Sequence, residues 1–133
     1  MELSPYLMFN GNCEEALKFY EQTLGAKIDG VSKHAGTPSE EHVPPEWRDK
    51  VLHARFTVGN NVVMASDAPP GHYAPPQGMS IALGLNDAAK GEEIFNKLAE
   101  NGTVQLPFSQ TFWASGFGMC VDRFGIPWMV NCE

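Results

Sequence analysis

Two residues of one predicted hairpin, His53 and Asp67, have side chains that could perform acid–base chemistry. His53 lies near the start of a predicted strand, Val51 to Val58, and the turn Gly59-Asn60-Asn61 pairs Val58 with Val62. This register sets His53 opposite Asp67. A histidine beside a carboxylate can act as a general base near neutral pH. The alternative is a structural pair in which two polar groups satisfy each other. The remaining histidines are predicted to be solvated in loops: His34, His42 and His72.

An internal repeat predicts the elements that position this hairpin. Each half begins with a short apolar strand, Tyr6 to Phe9 or Ser80 to Leu85, and continues into a helix whose apolar residues recur at helical spacing. Gly25 and Gly102, which close the two helices, are 77 residues apart. Three strands are predicted after each helix. The sequence therefore predicts an α+β fold of two βαβββ units, with mostly antiparallel curved sheet around a trough and helices on the outer face.

The repeat also sets the predicted boundaries. Residues 1–133 form one domain, with a first unit at 1–67, a proline-rich linker at 68–78 and a second unit at 79–133. The first unit is longer, and the loop His34 to Lys50 accounts for its extra residues. Asn12 and Glu15 have the spacing of a capping box at the start of the first helix.

Composition limits the partners. Nine Lys and Arg against 16 Asp and Glu give a net charge of −7, which disfavours nucleic acid and anionic membrane surfaces. No apolar run approaches the roughly 18 residues of a membrane span, so the expected location is the cytoplasm. The three cysteines, Cys13, Cys120 and Cys132, are odd in number and lack C-x-x-C spacing, which argues against disulfides and a cysteine zinc site.

Sequence motifs across nearly the whole chain resemble those of a known superfamily. The first half contains Pro5-Tyr6-Leu7-Met8-Phe9-Asn10-Gly11-Asn12-Cys13-Glu14-Glu15-Ala16, then Phe19-Tyr20 and Leu24-Gly25. The second contains Thr111-Phe112-Trp113-Ala114, Gly116-Phe117-Gly118 and Asp122-Arg123-Phe124-Gly125-Ile126-Pro127-Trp128. Together they resemble the glyoxalase/bleomycin-resistance, or vicinal oxygen chelate, superfamily, and within it the PhnB-like, 3-demethylubiquinone 3-methyltransferase-like branch. The chain lacks the glycine-rich loop after a strand that would hold a nucleotide-like methyl donor.

The resemblance implies a divalent metal held by side chains on the first, fourth, fifth and eighth strands. Aligned on the family motifs, those positions fall on Pro5, Met64, Ser80 and Met129. None of these side chains binds a hard or borderline dication well. We therefore predict no metal and no cofactor.

The same alignment predicts the lining of a ligand site. If Met64 and Met129 face the trough, the two-residue period of a strand brings further side chains to that face. Two methionines at equivalent positions of both repeats favour a shared pocket role, although each could instead fill a core. The predicted ligand-binding residues are Leu7, Phe9, Met64, Ser66, Ser80, Trp113, Met129 and Asn131.

Two functions remain open from the sequence. The first is a metal-free protein that binds a partly apolar small molecule, similar to the bleomycin-resistance members of the superfamily. The second is an enzyme of the isomerase, lyase or dioxygenase kind that uses displaced residues such as His53 and Asp67. The blank metal positions favour binding.

The aromatic and methionine residues crowded between Phe108 and Met129 predict a two-fold homodimer. The loop His34 to Lys50 is expected to act as a lid over the trough.

Overall fold

The computed structural model describes residues 1–133 as two compact units, Met1–Ala74 and Pro75–Glu133. The first unit contains β1 (Tyr6–Phe9), α1 (Cys13–Leu24), β2 (Lys27–Lys33), β3 (Val51–Val58) and β4 (Asn61–Asp67). Two short 3-10 helices, Pro38–His42 and Pro45–Trp47, lie between β2 and β3. The sheet order is β1-β4-β3-β2, in which β1 and β4 are parallel and the other neighbours are antiparallel.

The second unit repeats this arrangement. It contains β5 (Ile81–Leu85), α2 (Ala88–Ala99), β6 (Thr103–Ser109), β7 (Gly116–Val121) and β8 (Pro127–Cys132). The sheet order is β5-β8-β7-β6, with β5 and β8 parallel. The predicted α+β class and its two βαβββ units are confirmed. Neither of the 12-residue helices has the length and hydropathy of a membrane-spanning segment.

Helix α1 packs on its sheet through one apolar stripe. The ring of Tyr20 lies 5.9 Å from that of Phe56 on β3 and 6.5 Å from that of Phe9 on β1. Gly25 ends the helix in the left-handed conformation, with φ at 68°, as glycine at this position predicts. The buried stripe consists of Cys13, Ala16, Leu17 and Tyr20.

A distant carboxylate caps the start of α1. The predicted capping box of Asn12 and Glu15 is wrong, because the Asn12 side chain forms no capping hydrogen bond. The backbone N–H of Cys13 instead donates to Asp67 Oδ1 at 2.9 Å. A carboxylate here satisfies one of the unpaired donors of the first turn and interacts favourably with the helix dipole. Asp67 therefore joins the end of β4 to α1.

Helix α2 lies directly on its sheet at a glycine. A β carbon at Gly91 would collide with Sγ of Cys132 on β8, so only glycine permits this approach. The Asp87 carboxylate caps the helix by accepting from the backbone N–H of Lys90 at 3.1 Å. Each helix thus covers one face of its own sheet and leaves the other face open for side chains that the core does not use.

Candidate functional site

On the face of the first sheet opposite α1, the residues that β1 contributes are not the predicted ones. Parallel pairing sets Tyr6 beside Met64 and Leu7 beside Ala65. Leu7 and Phe9 are therefore buried on the helix side with Ala65, whereas Tyr6 shares the open face with Met64. The prediction that Leu7 and Phe9 share a face with Met64 is wrong, because parity along one strand does not fix its phase against a parallel neighbour.

The β3–β4 turn is one residue shorter than predicted. Val58 pairs with Asn61, so Gly59 and Asn60 alone form the turn and the register moves by one residue. Asp67 is therefore one residue away from the position opposite His53. Since neighbouring residues of a strand point to opposite faces, His53 and Asp67 lie on opposite faces of the sheet. Asp67 is 5% exposed, and its Oδ2 accepts from the backbone N–H of Val51 at 2.8 Å. The predicted pairing of His53 with Asp67 is wrong.

His53 instead lies next to a phenol on the open face. The Tyr6 hydroxyl is 3.5 Å from His53 Nδ1, and the two ring centroids are 5.9 Å apart. Arg55 follows two residues along β3, opposite Met64. Ser66 contributes little to this polar surface, because its hydroxyl donates to Met8 Sδ at 3.4 Å.

The open face of the second sheet is uncharged. Met129 pairs with Met119 of β7, and Asn131 pairs with Phe117, so both predicted β8 residues lie on the face opposite α2. The indole N–H of Trp113 donates to Asn131 Oδ1 at 3.2 Å, and the Trp113 ring meets that of Phe117 edge-on at 5.3 Å. The predicted residues Trp113 and Asn131 therefore form one cluster.

A groove of about 810 Å³ opens on this second unit. The segment Pro75 to Ser80 forms one wall, and the strands β6, β7 and β8 form the other. Of the predicted ligand residues, Ser80 and Met129 line it. Several other lining residues were not predicted from the sequence. Met119 could have been found from the two-residue period of β7, whereas the proline-rich wall carries no periodic signal. The lining residues are Pro75, Pro76, Gln77, Gly78, Met79, Ser80, Gln105, Met119, Val121, Gly125, Pro127 and Met129.

The four positions at which the resemblance implies a metal do not fit a divalent ion. Met64 and Met129 offer thioethers, Ser80 a hydroxyl and Pro5 no side-chain donor. The divalent ions that the resemblance implies prefer imidazole and carboxylate ligands. No group of three or more His, Cys, Asp or Glu side chains is placed to hold a metal.

The loop between β2 and β3 is folded against the β1–α1 turn. Its ends are joined by a hydrogen bond from the backbone N–H of Ala35 to the carbonyl of Arg48 at 2.9 Å. The ammonium of Lys50 donates to the Gly11 carbonyl at 2.8 Å. His34 is buried, with Nδ1 at 2.9 Å from Ser39 Oγ, so the prediction that it is solvated is wrong. The lid role of this loop stays a prediction.

Known proteins resemble the chain over its whole length. A family model described as 3-demethylubiquinone-9 3-methyltransferase matches residues 1–131. Protein YjdN of Escherichia coli (strain K12) is 36% identical over 139 residues, covering 98% of this chain and 95% of that protein. The crystal structure of protein PA1353 from Pseudomonas aeruginosa is 46% identical, with a TM-score of 0.90, and covers 100% of this chain and 98% of that chain.

The wider fold is shared with more distant proteins. A glyoxylase/bleomycin resistance protein/dioxygenase domain from Frankia sp. EAN1pec is 10% identical, with a TM-score of 0.69. The alignment covers 100% of this chain and 97% of that one. At this identity the likeness establishes the fold alone, and it agrees with the superfamily that the sequence motifs indicate.

Proposed function

The chain belongs to the 3-demethylubiquinone-9 3-methyltransferase family, and we propose that it is a metal-independent binding protein for an uncharged, partly apolar small molecule. The proposed site is the groove of the second unit that contains Met129. The observation that carries the proposal is that a groove of about 810 Å³ has no ionisable side chain in its lining.

The chemistry of the lining supports this ligand class. Moving an ionised group from water to a surface without a partner charge is costly, so an uncharged lining selects against charged ligands. Met79, Met119 and Met129 supply flexible, polarizable surface that adapts to the shape of an apolar group. Gln77 and Gln105 supply amide groups that can donate or accept a hydrogen bond. Such a mixture, mostly apolar with a few polar groups, is typical of small-molecule sites.

An uncharged fluorescent probe tests the proposal. N-phenyl-1-naphthylamine should bind saturably, with increased emission, because its rings leave water for the groove. Met129→Asp should abolish this binding by placing a carboxylate in the lining. Met64→Asp is the matched control, because Met64 occupies the equivalent position of the first sheet. Met64 pairs with Arg55 of β3, and Met129 pairs with Met119 of β7.

The outcomes are decisive if thermal melting shows that both variants fold. Loss of probe binding in Met129→Asp with retention in Met64→Asp supports the groove. Equal binding by Met129→Asp and the parent chain, or the absence of saturable binding by the parent, contradicts it.

The alternative of an isomerase, lyase or dioxygenase is no longer supported by a His53–Asp67 pair, because the two residues do not face each other. Asp67 cannot orient His53 in such an enzyme, because both Asp67 oxygens accept backbone N–H groups on the opposite face of the sheet. His53 with Tyr6 remains a polar pair on the open face of the first sheet.

We also propose that the chain forms a two-fold homodimer through the second unit. Phe112 is 98% exposed and Trp113 53% exposed, and their rings meet edge-on at 4.9 Å. Large apolar side chains that remain in water favour association, and a symmetric pair covers both copies at once.

Sedimentation equilibrium tests the dimer. The parent chain should have twice the mass of the 14.6 kDa monomer, and Phe112→Ser should weaken the association. Leu3→Ser is the control, because Leu3 is 99% exposed in the first unit. A parent mass near 14.6 kDa, or equal weakening by both substitutions, would exclude this interface.

A cytoplasmic location is the companion proposal. All three cysteines are unpaired and buried, as expected of a chain that folds in a reducing compartment. Fractionation of the producing cells tests the location, and recovery outside the cytoplasm would contradict it.

A further inference from the structure

We propose that the open face of the first sheet binds an anionic oxygen group, carboxylate or phosphoryl, through Arg55, His53 and Tyr6. These residues lie on one face: Tyr6 on β1, beside Met64 of β4, and His53 and Arg55 two residues apart on β3. Two residues of strand span about 7 Å, a distance that the long arginine side chain bridges easily. The residues of this site belong to the first unit and those of the groove to the second, so the proposal does not depend on the groove.

The Tyr6–His53 pair always leaves a hydrogen-bond donor for a ligand. If the phenol donates to His53 Nδ1, the neutral ring carries its proton on Nε2, which is then the available donor. If Nδ1 carries the proton and donates to the phenol oxygen, the phenol hydrogen is available instead. A protonated ring donates from both nitrogens. An acceptor-only oxyanion therefore suits the pair in every tautomer.

Arg55 supplies the positive charge. Its Nε lies 3.8 Å from Asp29 Oδ2, and both side chains are partly exposed, so this ion pair is long and solvated. Exposed pairs of this kind contribute little free energy, and an incoming oxyanion can compete for the guanidinium. Because the contact with Asp29 uses Nε, the two terminal nitrogens remain for a bidentate contact with an oxyanion.

The second unit shows that the fold does not require these polar groups. Arg55 is opposite Met64 as Met119 is opposite Met129, so Arg55 and Met119 are equivalent. By the same registers, Tyr6 is equivalent to Ala82, and His53 to Phe117. All three donors are thus replaced by apolar residues on the repeated scaffold. The three donors are therefore specific to the open face of the first unit, and a βαβββ unit can fold without them.

Nuclear magnetic resonance titration with inorganic phosphate, and separately with acetate, tests the proposal. The imidazole resonances of His53 and the Nε resonance of Arg55 should shift saturably in the millimolar range with at least one anion, at constant pH and ionic strength. Arg55→Gln should weaken binding by about tenfold, because a charge-assisted contact is lost. Tyr6→Phe should weaken it by a smaller factor, since it removes a hydroxyl that either donates to the ligand or fixes the proton of His53 on Nε2.

Arg48→Gln is the matched control. Arg48 is also partly exposed, and its Nε lies 3.9 Å from Glu40 Oε1, but it lies in the β2–β3 loop. Saturation by acetate alone assigns a carboxylate ligand, and saturation by phosphate alone assigns a phosphoryl ligand. Saturation by both supports the shared site.

The absence of saturable shifts with either anion would overturn the proposal, as would equal weakening by Arg48→Gln and Arg55→Gln, which indicates diffuse charge attraction. Neither result bears on the naphthylamine probe, because the two experiments report on different units.

Discussion

Replacing Asp67 with asparagine separates a structural role from a catalytic one. The carboxylate accepts from Cys13 N at 2.9 Å and from Val51 N at 2.8 Å, and the side chain is 5% exposed. Asparagine keeps the shape but offers only one oxygen, so its NH₂ group must face one of the two backbone donors. We therefore expect Asp67→Asn to destabilise the fold without changing any ligand contact.

The magnitude follows from these two bonds. One backbone N–H is left buried without an acceptor, which costs about 1 to 3 kcal/mol. The surviving bond loses its charge assistance, which costs roughly another 1 kcal/mol. The sum of about 2 to 4 kcal/mol is a large part of the roughly 5 to 15 kcal/mol that stabilises a typical domain.

Urea unfolding followed by circular dichroism measures this loss. The control is Asp49→Asn, whose carboxylate is exposed in the loop and whose replacement should change the free energy of unfolding by less than about 0.5 kcal/mol. Below the unfolding transition, Asp67→Asn should bind the naphthylamine probe and phosphate as the parent chain does. Unchanged stability together with lost binding would refute the structural role and return Asp67 to the ligand site.

Two further predictions concern the second unit. Gly91→Ala should lower the free energy of unfolding by about 1 to 3 kcal/mol, because the added β carbon collides with Cys132, although alanine favours a helix. Gly30→Ala is the control and should not lower it, because a β carbon there has open space. A Gly91→Ala variant more stable than the parent chain would show that α2 can move away from the sheet. Burial, reinforced by the nearby Asp122 carboxylate, raises the pKa of the Cys120 thiol from 9.0 to about 11, so its contribution to stability should be complete below pH 9.0 and lost as the pH rises to about 11. Urea midpoints across this range should fall less in Cys120→Ala, and identical slopes would contradict the assignment.

Periodicity predicted the elements, but it could not supply their register. The spacing of Cys13, Ala16, Leu17 and Tyr20 specifies one helical face, and Gly25 marks the end of that helix, because both signals are local. The turn after Val58 could contain two or three residues without changing any local pattern. That single residue decided whether His53 faces Asp67.

The groove of the second unit was only partly predictable for the same reason. Met129 and Ser80 were predicted because the superfamily resemblance implies ligand positions on the fifth and eighth strands, and both line the groove. The opposite wall, Pro75 to Met79, is part of a segment predicted only as a linker. Prolines exclude helix and sheet from such a segment, but they do not reveal what it packs against, because that contact is tertiary.

The two open faces show where this scaffold can acquire specificity. In each unit the helix and the buried side of the sheet supply the core, so the residues on the opposite side are not needed for that core. The side chains at equivalent positions of the two units differ in chemical type. Tyr6, His53 and Arg55 of the first unit correspond to Ala82, Phe117 and Met119 of the second. A shared fold therefore carries little information about ligands. On this chain, one face presents hydrogen-bond donors from Tyr6, His53 and Arg55, and the other contributes to a groove lined without ionisable side chains.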